Sequence, residues 1–101
     1  MKLWIDDERN PPDSSWSVVR TSREALIFIV NNLEHIEEIS FDHDLGGTDT
    51  TMPIAEYLED AAYYGTIKRI KWNVHSANPA GRSNLIAALK SADRYWDKMN
   101  E

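Results

Sequence analysis

The sequence predicts a small three-layer α/β domain built on a parallel sheet, and three observations carry that reading. Short apolar runs alternate along the chain with segments of helical periodicity. Helix start and stop residues fall between those runs. Polar, chemically capable residues recur at the C-terminal ends of the runs, where open parallel sheets bind their ligands.

The first run, Lys2 to Ile5, ends at Asp6-Asp7-Glu8-Arg9. The second, Trp16 to Arg20, is followed by a capping box, with Thr21 as N-cap and Glu24 three residues on. Ala25, Leu26, Ile29 and Leu33 make the expected apolar face of that helix. A third strand, Ile39 to Phe41, ends at Asp42-His43-Asp44. Pro53 suits the first turn of a second helix with inner face Ile54, Tyr57, Leu58 and Ala61, stopped at Gly65. Ile70 to Val74 alternates as an edge strand does and ends at His75-Ser76-Ala77-Asn78. The last helix starts near Asn78 and Pro79, with a core stripe of Leu85, Leu89, Ala92, Trp96 and Met99. The order is β-β-α-β-α-β-α, or β-α-β-α-β-α with "ERNPPDSS" as an irregular first crossover, and alternation of this kind implies parallel pairing and right-handed crossovers.

With 101 residues, the chain is read as a single domain over 1–101 with one core. A hydrophobic fraction of 42% places it among folded globular proteins. There is no cysteine, so disulfides and zinc–thiolate sites are excluded. No apolar run approaches a membrane span and the N-terminus turns acidic after Ile5, so no membrane partner is expected and the location predicted is the cytoplasm. The net charge of −6 disfavours non-specific binding to long DNA or RNA, and Lys68, Arg69 and Lys71 are the only basic cluster. A small phosphorylated ligand or the end of a nucleic acid remains compatible when a cation offsets the local acidity. An open edge at Ile70 to Val74 leaves a homo-oligomer possible.

Adjacent carboxylates at Asp6 and Asp7, with Asp42 arriving from a neighbouring strand, suit a hard divalent cation such as Mg²⁺ or Mn²⁺, or Ca²⁺. Against this stands a capping aspartate beside a solvated one. His43, between Asp42 and Asp44, has the carboxylate neighbours that raise imidazole basicity, and His75 brings a second imidazole to an adjacent strand end. Such a pair suits base and acid on opposite sides of a phosphorus centre; the plainer reading of His43 is a surface histidine in an acidic turn. His35 lacks such company and reads as a loop residue. The Gly46-Gly47 turn, Gly81, Ser76 and Asn78 offer contacts to phosphate oxygens, and Arg82 and Arg9 are candidate anion anchors or solvated arginines. Trp4, Trp16, Phe41, Tyr57 and Trp96 read as core, and Trp72 less firmly so.

Four stretches, "LWIDDERNPP", "WSVVRTSREAL", "ISFDHDLGG" and "VHSANPAGRSNL", resemble in order the cyclic-phosphate processing receiver-like domain family, from about Leu3 to Leu89. The resemblance implies a flavodoxin-like sheet related to two-component receivers, in order 2-1-3-4 with helices on both faces and no fifth strand. It implies an acidic metal pair at Asp6 and Asp7, a residue at the phosphoacceptor position in Asp42, and a strand-ending hydroxyl in Ser76; Asp42 and Asp44 are counted with the pair as metal candidates. Signalling receivers carry a lysine at the end of a fifth strand, whereas here Lys90 and Lys98 lie on the last helix.

The function this favours is a metal-assisted phosphoesterase acting on a cyclic phosphate of a nucleotide or RNA end. Asp42, His43 and His75 are its catalytic candidates, and Ser76, Asn78, Arg82 and Arg9 its phosphate contacts. The alternatives are a non-catalytic receiver-like binding module with a relic acidic site, and a phosphoacceptor using Asp42.

Overall fold

A computed structural model describes residues 1–99. Four strands, β1 (Lys2–Ile5), β2 (Trp16–Val19), β3 (Glu38–Phe41) and β4 (Lys71–Val74), form one parallel sheet in the order β2-β1-β3-β4. Helices α1 (Ser22–Asn31), α2 (Met52–Tyr64) and α3 (Pro79–Met99) complete the chain. The element order is the expected β-β-α-β-α-β-α, and "ERNPPDSS" carries no helix.

Local chemistry explains the helix ends. Thr21 caps α1 by accepting from the Glu24 N–H at 3.1 Å. Gly65 ends α2 in the left-handed conformation at φ 68°, where a side chain would be strained. Thr51, at the head of α2, makes no side-chain cap, because its buried hydroxyl donates to the Asp42 carbonyl at 2.6 Å instead.

Lateral pairing sets the two faces of the sheet. Leu3 pairs with Ile39, and Ile5 with Val19 and Phe41, which in turn pairs with Val74; all of these are buried in one core cluster with Ala25, Ile29, Ile54, Leu58, Leu85, Leu89 and Trp96. The opposite face carries Lys2, Trp4, Trp16, Val18 and Asn73, none of them fully buried. Helix α1 touches α2, and α2 packs along α3, so the three helices form one layer. The expectation of helices on both faces is therefore corrected to two layers. The physical reason is crossover handedness. The β2–β3 and β3–β4 connections run the same way across the sheet and, being right-handed, put their helices on one face. The β1–β2 connection runs the other way and alone would cover the second face, but it is the irregular segment rich in proline and aspartate.

Smaller expectations also shift. Leu26 is 40% exposed and Met99 61%, so neither joins its helix's buried stripe; Leu33 lies beyond the end of α1 and is half-buried. Trp4 and Trp16 lie on the helix-free face, meeting edge-to-face at 5.7 Å. Trp72 is half-buried and donates its Nε1 hydrogen to Asp93 at 3.0 Å. No helix among the described residues is long and apolar enough to cross a membrane.

Candidate functional site

The strand ends converge. Because β1, β3 and β4 are neighbours in register, Asp6, Asp42 and His75 emerge side by side. The floor of the site is Asp6, whose buried carboxylate accepts four hydrogen bonds. Oδ1 takes the N–H groups of Glu8 and Arg9, each at 2.8 Å. Oδ2 takes Arg9 Nε at 3.1 Å and His75 Nε2 at 3.0 Å. Burial alone would raise this carboxyl, but the two backbone N–H groups, His75 and the Arg9 charge together hold it below the usual carboxylate value. Asp42 shows the opposite balance. Burial and then the negative charge of Asp6 push its carboxyl up, against the His43 N–H, Arg9 and His75.

His75 is held on every side. Its ring stacks on Trp4 with centroids 3.9 Å apart, Nδ1 lies 2.7 Å from Ser40 Oγ, and Nε2 meets Asp6. An ionised Asp6 only accepts, which assigns the proton to Nε2 and leaves Nδ1 to accept from the Ser40 hydroxyl. Burial pulls this imidazole below its usual value, although Asp6 and Asp42 act the other way. No ring nitrogen is left free. His43 is placed differently: its Nδ1 lies 3.0 Å from Asp44 Oδ1, and its ring packs so closely on α3 that a Cβ at Gly81 would sit 2.3 Å from its Cγ.

Above this floor lies a cleft of about 470 Å³ lined by Asp6, Asp7, Glu8, Arg9, Asp42, Asp44, Gly46, Gly47, Ser76, Ala77 and Asn78. One wall is the 44–50 loop, closed by an Asp44–Thr50 bridge, with Gly46 at φ 93° and Gly47 at φ 57°. The facing wall is the turn into α3, where Asn78 accepts from Gly81 N–H and donates to Asp44 at 3.0 Å each. Of the expected residues, Asp6, Asp7, Asp42, Asp44, Arg9, Ser76 and Asn78 line the cleft. His43 and His75 stand behind its walls, and Arg82, turned to the Val74 carbonyl at 2.7 Å, is not part of it.

Asp6, Asp7 and Asp42 each bring a carboxylate oxygen within 4.8 Å of the others. An all-oxygen, all-anionic set of this kind fits a hard divalent cation. Asp44 stands outside this group, its two oxygens engaged by His43 and Asn78.

The family model of the cyclic-phosphate processing receiver domain matches residues 1–91. The chain belongs to that family. No curated protein and no solved structure matched it. In this receiver domain the acidic pair ends β1 and Asp42 ends β3, and the match runs into α3.

Several residues that build the site gave no sequence signal of their own. Arg20 donates to the Asp6 carbonyl at 3.0 Å and the Arg9 carbonyl at 2.8 Å, pinning the segment after β1. Asp49 accepts from the N–H and hydroxyl of Ser22, tying the glycine loop to α1. Ser40 and Trp4 frame His75. An isolated serine or arginine in a strand reads as ordinary; only the register reveals what lies beside it.

Proposed function

We propose that the cleft binds a cyclic phosphate ester together with a divalent cation and hydrolyses one of its ring P–O bonds. The observation that carries this reading is the meeting of three carboxylates within 4.8 Å at the floor of the cleft, in a chain of the cyclic-phosphate processing family. Mg²⁺ or Mn²⁺ held by Asp6, Asp7 and Asp42 would polarise a phosphoryl oxygen and offset the charge of the phosphate.

The chain's own residues account for the rest. Asp44, which lines the cleft, takes a proton from the attacking water, and the His43 imidazole, 3.0 Å from its Oδ1, holds that carboxylate in place. The water oxygen bonds to phosphorus, a ring P–O bond breaks, and the same proton passes to the departing oxygen. A linear monoester results. Ser76, Asn78 and the glycine loop orient phosphate oxygens, and Arg9 is the one cation of the wall among the described residues. His75 contributes by holding Asp6 in place. The net charge of −6 favours a small phosphorylated molecule or a nucleic-acid end over a long polyanion.

A second reading, a binding module without turnover, is favoured by one observation: neither imidazole is itself part of the cleft wall. Phosphotransfer to Asp42 is less favoured, because no lysine lines the cleft among the described residues. The discriminating experiment is turnover of 2′,3′-cyclic, 3′,5′-cyclic and linear nucleotides with Mg²⁺, Mn²⁺ or EDTA. The proposal expects metal-dependent hydrolysis of a cyclic class, lost in Asp42→Asn and His43→Ala. Ligand-dependent stabilisation without turnover would favour the module.

A further inference from the structure

Among the described residues, Arg9 is the only positive side chain lining the cleft, beside five acidic ones. Its guanidinium spans the two buried carboxylates, with Nε 3.1 Å from Asp6 Oδ2 and Nη2 3.6 Å from Asp42 Oδ1. Nη2 also donates to the His75 carbonyl at 2.9 Å. It therefore lies against the same carboxylates that the proposed cation would engage.

The hydrogen bonds of Asp6 sharpen the point. Each carboxylate oxygen has about two lone-pair sites, and all four of Asp6 are taken. Two donors are backbone N–H groups of a tight turn. A third is His75, whose side chain is 14% exposed and fixed by Trp4 and Ser40. The Arg9 side chain is 53% exposed, so it is the one donor free to leave.

We propose that Arg9 is a built-in stand-in for the cation: its guanidinium bridges Asp6 and Asp42 in the free chain, yields Asp6 Oδ2 to an arriving divalent cation, and then forks onto the phosphate of the ligand. This rests on the reading of the acidic triad as a cation site. Exchange of this kind couples the two ligands. The cation releases the arginine that the anion needs, so each strengthens the binding of the other. A guanidinium suits both stations, being planar, permanently charged and matched to carboxylate and phosphate alike.

The test is calorimetric titration of Mn²⁺ into wild type, Arg9→Ala and Lys90→Ala, with and without excess inorganic phosphate. Arg9 supports the fold through its main chain, its N–H meeting Asp6 and its carbonyl meeting Trp4 and Arg20, so truncation leaves those bonds. Lys90 is exposed on α3 and controls for the loss of one positive charge. Arg9→Ala should bind Mn²⁺ about tenfold tighter than wild type and lose the strengthening by phosphate, while Lys90→Ala behaves as wild type. Equal or weaker Mn²⁺ binding in Arg9→Ala, with wild type binding normally, overturns the role of Arg9 and leaves the cation site standing. No heat of Mn²⁺ binding in any of the three overturns both.

Discussion

His75 Nε2 lies 3.0 Å from Asp6 Oδ2, joining the ends of β4 and β1 across the intervening strand β3. The imidazole acts as a brace. With Ser40 on its other nitrogen and Trp4 against its face, it fixes the direction of the carboxylate that floors the cleft. His75→Ala removes this brace and should cost about 1–3 kcal/mol in urea unfolding, as for a buried carboxylate that loses a partner. The same variant should bind Mn²⁺ more weakly.

The stability of the free chain should depend on pH through the same residue. Burial lowers the His75 pKa below its unfolded value of 6.5, so between the two values the unfolded chain binds more protons. Stability is then full above the unfolded value and falls as the pH drops below it. Melting temperatures measured from pH 8 down to 5 should decline across the acidic part of that range, and His75→Gln should flatten the decline.

Asp42 gives the opposite sign. Its carboxyl is raised by burial and by the charge of Asp6, so its ionisation costs stability above its unfolded value. Asp42→Asn, in which the amide oxygen still accepts from His43 N–H, should raise the melting temperature of the metal-free protein at pH 7, with about 4–8 °C per kcal/mol for a domain of this size. It should also abolish turnover and weaken cation binding.

Much of this arrangement was legible in the sequence, and the reasons are specific. The capping box at Thr21, Pro53 and Gly65 place the helix ends because each answers a local backbone demand. Asp6, Asp42 and His75 converge because each directly follows a strand in a parallel sheet. The number of layers was not legible. It depends on whether the β1–β2 connection forms a helix, and apolar residues such as Trp4 and Trp16 read as core until that face is known to carry none. Nor could strand position show that both nitrogens of His75 are occupied, since Ser40 reaches it only through the β3–β4 pairing.

Gly81 and Asp49 test the walls of the cleft. Gly81→Ala drives a methyl into the His43 ring and should cost about 1–3 kcal/mol, with α3 shifted away from the glycine loop. Asp49→Ala frees the loop from the head of α1 and should cost about 0.5–2 kcal/mol, with faster proteolysis at Gly46 to Thr48. Urea unfolding and limited proteolysis check both.

The most direct measurement of the central claim is a ³¹P NMR time course of a 2′,3′-cyclic nucleotide with the purified protein and Mg²⁺. The account predicts replacement of the cyclic resonance by that of a linear monoester, suppressed by EDTA and absent in Asp42→Asn. An unchanged cyclic resonance, with 3′,5′-cyclic nucleotides equally inert and Mg²⁺ shown to be bound, would contradict it.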